Sequence, residues 1–154
     1  ETGFDSRRPD QMTEGKDFIG VCVVYFCHDG RGNLAMHKRS QNTRDEQGCW
    51  DVGGGGLELN EIVEERLKKE IKEEWGAAVL NHEFLGFRDV HRLKDGGPTH
   101  WIALDFKVLV NPAQIKNGEP HKFDEIGWFT LDNLPQSLHS QLPYAFQKYK
   151  DRLK

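Results

Sequence analysis

Glu70, Glu73 and Glu74 stand at i, i+3 and i+4 in the run Glu61 to Trp75, which contains neither Gly nor Pro. Residues at these spacings share one patch of a helix. With Val63 set at 0° and ~100° advanced per residue, Leu67 falls at ~40° and Ile71 at ~80°, defining an apolar stripe. Glu65, Lys68 and Lys72 fall near ~200°, ~140° and ~180°, on the solvent face. Glu70 and Glu74 fall at about −20° and ~20°, inside or beside the apolar stripe, and Glu73 flanks it at about −80°. Carboxylates on the core side of a helix are costly unless a cation compensates them. Crowded like charges also repel and take up protons unless a cation lies between them. Lys68 and Lys72 point the other way. The pattern suits a hard cation with oxygen ligands, Mg²⁺ or Mn²⁺, with a structural cluster held by Lys or Arg partners as the alternative.

The elements that must position these acids can be read around them. Four glycines, Gly53 to Gly56, precede the helix. A glycine run entering a helix permits close backbone approach to a ligand, and helix N-termini favour phosphate. No Gly-Lys-Ser/Thr follows, so this is not a Walker loop. Asn60 is suited to cap the helix and Gly76 to stop it. Phe18–Cys27 is β-branched and aromatic and reads as a buried strand. His28 to Asn33 is turn chemistry, and Leu34–Arg39 completes a hairpin. A polar loop over 41–48 leads to a short strand at 49–52. Phe84–His91 and His100–Val110 are strands joined by a turn over 94–98. Ile126–Phe129 is a further strand, and Leu142–Leu153 a closing helix with Pro143 in its first turn. Strands interrupted by one helix and closed by another indicate an α+β domain.

Gly55, Glu61, Glu70, Ile71, Glu73, Glu74 and Gly76 fall at the spacing of the Nudix box: Gly, five residues, Glu, seven residues, Arg-Glu, an aliphatic, one residue, Glu-Glu, one residue, Gly and an aliphatic. Trp50-Asp51-Val52 upstream and Trp128 to Pro135 downstream also resemble the family, extending the likeness over roughly 18–135. The chain departs from the pattern at Lys69, where the box has Arg, at Ala77, where it has a larger aliphatic, and at Gly53, where a Pro is common. In the family that Arg orients the catalytic carboxylates; lysine keeps the charge and loses the planar fork.

The resemblance implies an α/β/α sandwich around a mixed β-sheet over residues 18–154, with 1–17 a flexible lead-in. It implies Mg²⁺- or Mn²⁺-dependent hydrolysis of a nucleoside diphosphate linked to another group. Glu70, Glu73 and Glu74 are the implied metal ligands and catalytic acids, with Glu61 adding a ligand through water and the Gly55 carbonyl completing the shell. Arg39, Gly54 and Gly55 are the expected substrate contacts. The family often supplies a further acid from a downstream loop. Here Glu119, between Gly118 and Pro120, is the expected one, with Asp124 and Glu125 as rivals.

Marks of particular substrates are missing. The first Pro after Gly76 is Pro98 and the first Tyr after the box is Tyr144, so neither the ADP-ribose nor the diadenosine polyphosphate signature is met. A nucleoside triphosphate is the default expectation, with ADP-ribose or a nucleotide sugar as the alternative. A non-catalytic binding module of the same fold is favoured only by Lys69. An isomerase would need Cys and His ligands, for which Cys49, His37 and His91 are thin support. Composition narrows the rest. With 154 residues, 36% of them apolar, and a net charge of −4, the chain is one foldable domain with no basic footprint for duplex nucleic acid. The longest apolar stretch, Phe18–Cys27, is shorter than the ~20 residues of a membrane helix. No basic start precedes an apolar segment, so no secretory leader is expected. Three cysteines without a CxxC pair suit a reducing compartment, the cytoplasm. A homodimer is compatible with all of this.

Overall fold

A computed structural model describes residues 5–94 and 96–154. Residues 1–4 of the lead-in and Asp95 of the expected 94–98 turn lie outside the described residues. The sheet is mixed and centres on β1 (Gly20–His28). β6 (Gly97–Leu109) runs parallel to β1 from the Gly20–Trp101 pair to the His28–Leu109 pair. On the other edge of β1, β4 (Gly54–Gly56) runs antiparallel, with Val23 opposite Gly55. β2 (Leu34–Arg39) joins at His28–Leu34 and carries β3 (Trp50–Asp51) and β7 (Phe123–Phe129). β5 (Asn81–Lys94) forms a long hairpin with β6.

Helices cover both faces. α1 (Val63–Trp75) packs Leu67, Ile71 and Trp75 on Val23, Tyr25 and Cys27 of β1. α2 (Leu142–Lys148) and α3 (Lys150–Leu153) place Leu142, Phe146 and Leu153 with Phe26, Leu34 and Met36. The period-2 alternation of β1 thus feeds two cores, and the α/β/α sandwich follows. Each of Leu67, Ile71 and Trp75 contributes on the order of 1.5–3 kcal/mol by leaving water.

Local chemistry explains where the elements differ from expectation. α1 begins at Val63, after Ile62, because Asn60 adopts a left-handed φ of 69° and does not cap it. Gly76 closes the helix as expected, with φ 68° and its N–H donated to Lys72 O. The glycine run is not an open loop: Gly54–Gly56 is a strand held by β1. The closing helix divides at Tyr149, whose hydroxyl donates to Asp105 at 2.6 Å. From Thr13 onward the N-terminal segment is attached to the sheet. Gly15 N–H donates to Phe18 O, and His100 N–H to Gly15 O at 2.6 Å. A Cβ on Gly15 would lie 2.1 Å from the Trp101 indole nitrogen, so only glycine admits this contact.

Candidate active site

α1 delivers the acids. Because Leu67 and Ile71 fix its rotation, Glu70 and Glu74 are carried in beside the stripe and are 7% and 6% exposed, while Glu73 stays at the surface. Glu74 accepts a hydrogen bond from the Tyr25 hydroxyl of β1. β4 passes directly over Glu70. A Cβ on Gly55 would lie 2.4 Å from the Glu70 carboxyl carbon, which explains why a glycine stands there. Glu61 sits just before the helix, and one of its oxygens accepts the Glu58 N–H at 2.8 Å. Arg66 is the one cation among these acids in the described residues, with Nη2 2.5 Å from Glu70 and Nη1 3.4 Å from Glu61.

The segment carrying Glu119 is anchored to the end of α1. Lys116 N–H donates to Trp75 O, and Gly118 N–H to Glu74 O at 2.9 Å. Glu119 is paired with Lys122 at 3.4 Å and is close enough that its charge bears on Glu70 and Glu74. Asp124 and Glu125 are exposed on β7. Burial holds Glu74 well above the usual carboxylate range; Tyr25 opposes this, and Glu70, Glu119 and Asp51 add to it. Burial also raises Glu70, with Arg66 opposing and Glu73 and Glu119 reinforcing. These acids all offer oxygens, with Arg66 on Glu61 and Glu70 and Lys122 on Glu119 as the counter-charges, and such a donor set fits a hard divalent cation.

A cavity of about 670 Å³ is bounded by β4 and by one face of the β5–β6 hairpin, and of the α1 acids Glu74 lines it. Arg39, Gly54 and Gly55 all border it, as do Arg92 and Lys94. Arg39 is not a free cation: it pairs with Asp45 at 2.9 Å and Asp51 at 3.4 Å. Arg92 pairs with Asp45 and Glu46, and Glu46 also accepts from the Ser140 N–H and hydroxyl. These contacts fix the loop over 41–48 as one wall. Arg88 and Asp105, both buried, form a bidentate pair at 2.7 and 2.8 Å beneath the cavity.

Tyr25, Arg66, Arg92 and Lys94 escape the spacing of the box. Arg88, Arg92 and Lys94 carry a period-2 signal, all on one face of a strand. The core side of Tyr25 is readable, but its acid partner lies 49 positions on. Among the aromatics, Trp101 borders the cavity and Phe87 is 56% exposed. Lys69 is exposed and is paired with neither Glu61 nor Glu70 among the described residues.

Residues 17–149 match the family model described as NUDIX domain. An ADP-ribose pyrophosphatase of Methanocaldococcus jannaschii is 32% identical over 121 residues, covering 77% of this chain and 68% of that protein. A nucleoside triphosphatase NudI of Enterobacter sp. is 30% identical over 121 residues, covering 74% and 82%. Among solved structures, a MutT NUDIX hydrolase from Burkholderia pseudomallei superposes with a TM-score of 0.74 at 28% identity, covering 84% of this chain and 97% of that one.

Proposed function

This chain belongs to the Nudix family and is a pyrophosphohydrolase of nucleotide derivatives, and from that premise we propose that its substrate is a nucleoside triphosphate and its cofactor Mg²⁺ or Mn²⁺. The observation that carries the reading is the burial of Glu70 and Glu74 against the glycine strand, with Glu74 lining a cavity bordered by cationic side chains. Glu70, Glu73 and Glu74 would hold the ion, with Glu61 and the Gly55 carbonyl completing its shell. When bound, such an ion neutralises charge on phosphate oxygens and lowers the pKa of water.

The chain's own groups supply the rest. The Tyr25 hydroxyl keeps the Glu74 carboxylate aimed. Gly54 and Gly55, lacking side chains, let the phosphates approach the backbone. Arg39, Arg92 and Lys94, which border the cavity, would attract the polyphosphate, and Glu119 would take a proton from water. A second reading, ADP-ribose as substrate, is favoured by the archaeal relative that carries that activity in its name. The cysteines are free, with Cys27 in the core, which supports a cytoplasmic, reducing setting. Among the described residues no helix is long and apolar enough to cross a membrane.

The test is a panel of nucleoside triphosphates, ADP-ribose and nucleotide sugars assayed for products with Mg²⁺ and with Mn²⁺. Triphosphates should be turned over and activity should vanish with chelator. Glu73→Gln and Glu74→Gln should each lower kcat by at least ~10²-fold, since each removes a charged ligand. Near-normal rates for both variants at saturating metal would reject the assignment.

A further inference from the structure

Arg66 occupies a place that the box pattern does not allot to a cation. On the same helical projection it falls at about −60°, between Glu73 and Glu70, whereas Lys69 falls at about −120° and faces solvent. Its guanidinium, 13% exposed, spans two acids of different elements. Nη2 meets Glu70 on the helix at 2.5 Å, and Nη1 meets Glu61 on the preceding turn at 3.4 Å. Its Nε is buried without a hydrogen-bond partner among the described residues. A guanidinium offers several N–H donors in a fixed fork and can hold two carboxylates at a set angle, which the point charge of lysine cannot. Lys69, exposed and further round on the same flank, makes no ion pair with either acid among the described residues.

We infer that Arg66 is a positioning residue that sets the carboxylates of Glu61 and Glu70 for the divalent ion, performing from position 66 the orientation that the box pattern assigns to position 69. The inference rests on the reading of Glu61 and Glu70 as metal ligands. The box pattern alone would have Lys69→Arg keep or raise activity, and the place of Arg66 narrows that expectation. The orientation is already supplied, so Lys69→Arg in the otherwise unaltered protein should change little.

Charge and aim predict opposite signs, and this makes the idea testable. Removing a cation 2.5 Å from a ligand carboxylate would, by charge alone, tighten the binding of a divalent ion. Losing the aim of the carboxylates would weaken it, by ~10–100-fold if Arg66 behaves as outer supports of metal ligands do. The experiment is a titration of metal-free protein with Mn²⁺, following free Mn²⁺ by electron paramagnetic resonance. Arg66→Met, which keeps the apolar stem, should bind Mn²⁺ at least ~10-fold more weakly. Arg66→Lys, the conservative change that preserves folding, should also weaken binding because the fork is lost. Arg66→Met combined with Lys69→Arg should recover most of the affinity. Unchanged or tighter binding in the Met and Lys variants would overturn the inference. A double variant that recovers nothing would overturn the claim that the role has moved between the two positions. Glu70→Gln serves as the reference. If it too leaves Mn²⁺ affinity unchanged, the reading of the site as a metal centre has failed. If it weakens binding while Arg66→Met does not, only the role of Arg66 has failed.

Discussion

Replacing His37 with Phe should remove a definable part of the protein's acid sensitivity. His37 lies on β2 with 1% of its surface exposed. Its ring is stacked between Phe123, at a centroid distance of 3.5 Å, and Trp75, at 4.7 Å. Neither ring nitrogen has a hydrogen-bond partner among the described residues. A protonated ring there would be a desolvated cation without an acceptor. Burial therefore holds its pKa down to about 4 from 6.5, with Asp51 opposing and Arg39 assisting. Because the folded pKa lies below the unfolded one, the unfolded chain takes up the proton first as pH falls. The stabilising contribution of the neutral ring is complete above pH 6.5 and is lost progressively down to pH about 4. At ~1.4 kcal/mol per pH unit, the loss totals on the order of 3 kcal/mol. Urea unfolding of the metal-free protein at a series of pH values from about 7 to about 4.5 measures it, and across that range His37→Phe should lose ~2–3 kcal/mol less than the parent. Phe is bulkier than imidazole and can shift stability by itself, but that offset is the same at every pH. Asp29 and Asp45, held below the usual carboxylate range, shed stability at lower pH and do so equally in both proteins. Parallel stability–pH curves for parent and variant would refute the reasoning.

Gly55→Ala places a Cβ 2.4 Å from the Glu70 carboxyl carbon, so either the acid or β4 must shift; kcat should fall by ~10²-fold in steady-state assays, the usual effect of an ångström's misplacement. Asp105→Ala strands the buried guanidinium of Arg88 and should lower unfolding free energy by ~3–5 kcal/mol in urea melts; a loss under ~1 kcal/mol would show that the pair is not desolvated. Glu119→Gln should reduce kcat clearly and blunt its metal dependence, with Glu125→Gln milder; the reverse order would transfer the loop role to Glu125, and silence in both would leave the α1 acids without a loop partner.

What the sequence made legible is what repeats along a helix or strand. α1 was readable because Val63, Leu67 and Ile71 fix a phase, and the same phase exposed Glu70 and Glu74 as acids on the wrong side. Leu34–Arg39 is a strand with the bounds that its composition indicates. β4 was not readable, because glycines have no β-forming side chain and its pairing is dictated by β1. β5 and β6 run further than expected because their polar outer halves, around Arg92 and Thr99, are stabilised by pairing with each other rather than by burial. Arg66 lay in the same helical phase as the acids, but the Glu61 partner that gives it meaning lies off the helix. The network joining Glu46, Arg92 and Ser140 unites three distant stretches of chain, and no local spacing encodes that.

The attachment of Gly15 beneath Trp101 has a thermodynamic consequence. Thr13, Glu14 and Lys16 border the same cavity as Arg92 and Lys94, so this short stretch forms one of its walls. It is held by a few backbone hydrogen bonds and one glycine-sized gap under an indole. A ligand touching that wall binds only molecules in which the wall is seated, and linkage then requires it to favour seating by the same factor. Occupancy of the cavity should therefore be readable at a distance from the acids, as slower hydrogen exchange of the His100 amide that donates to Gly15.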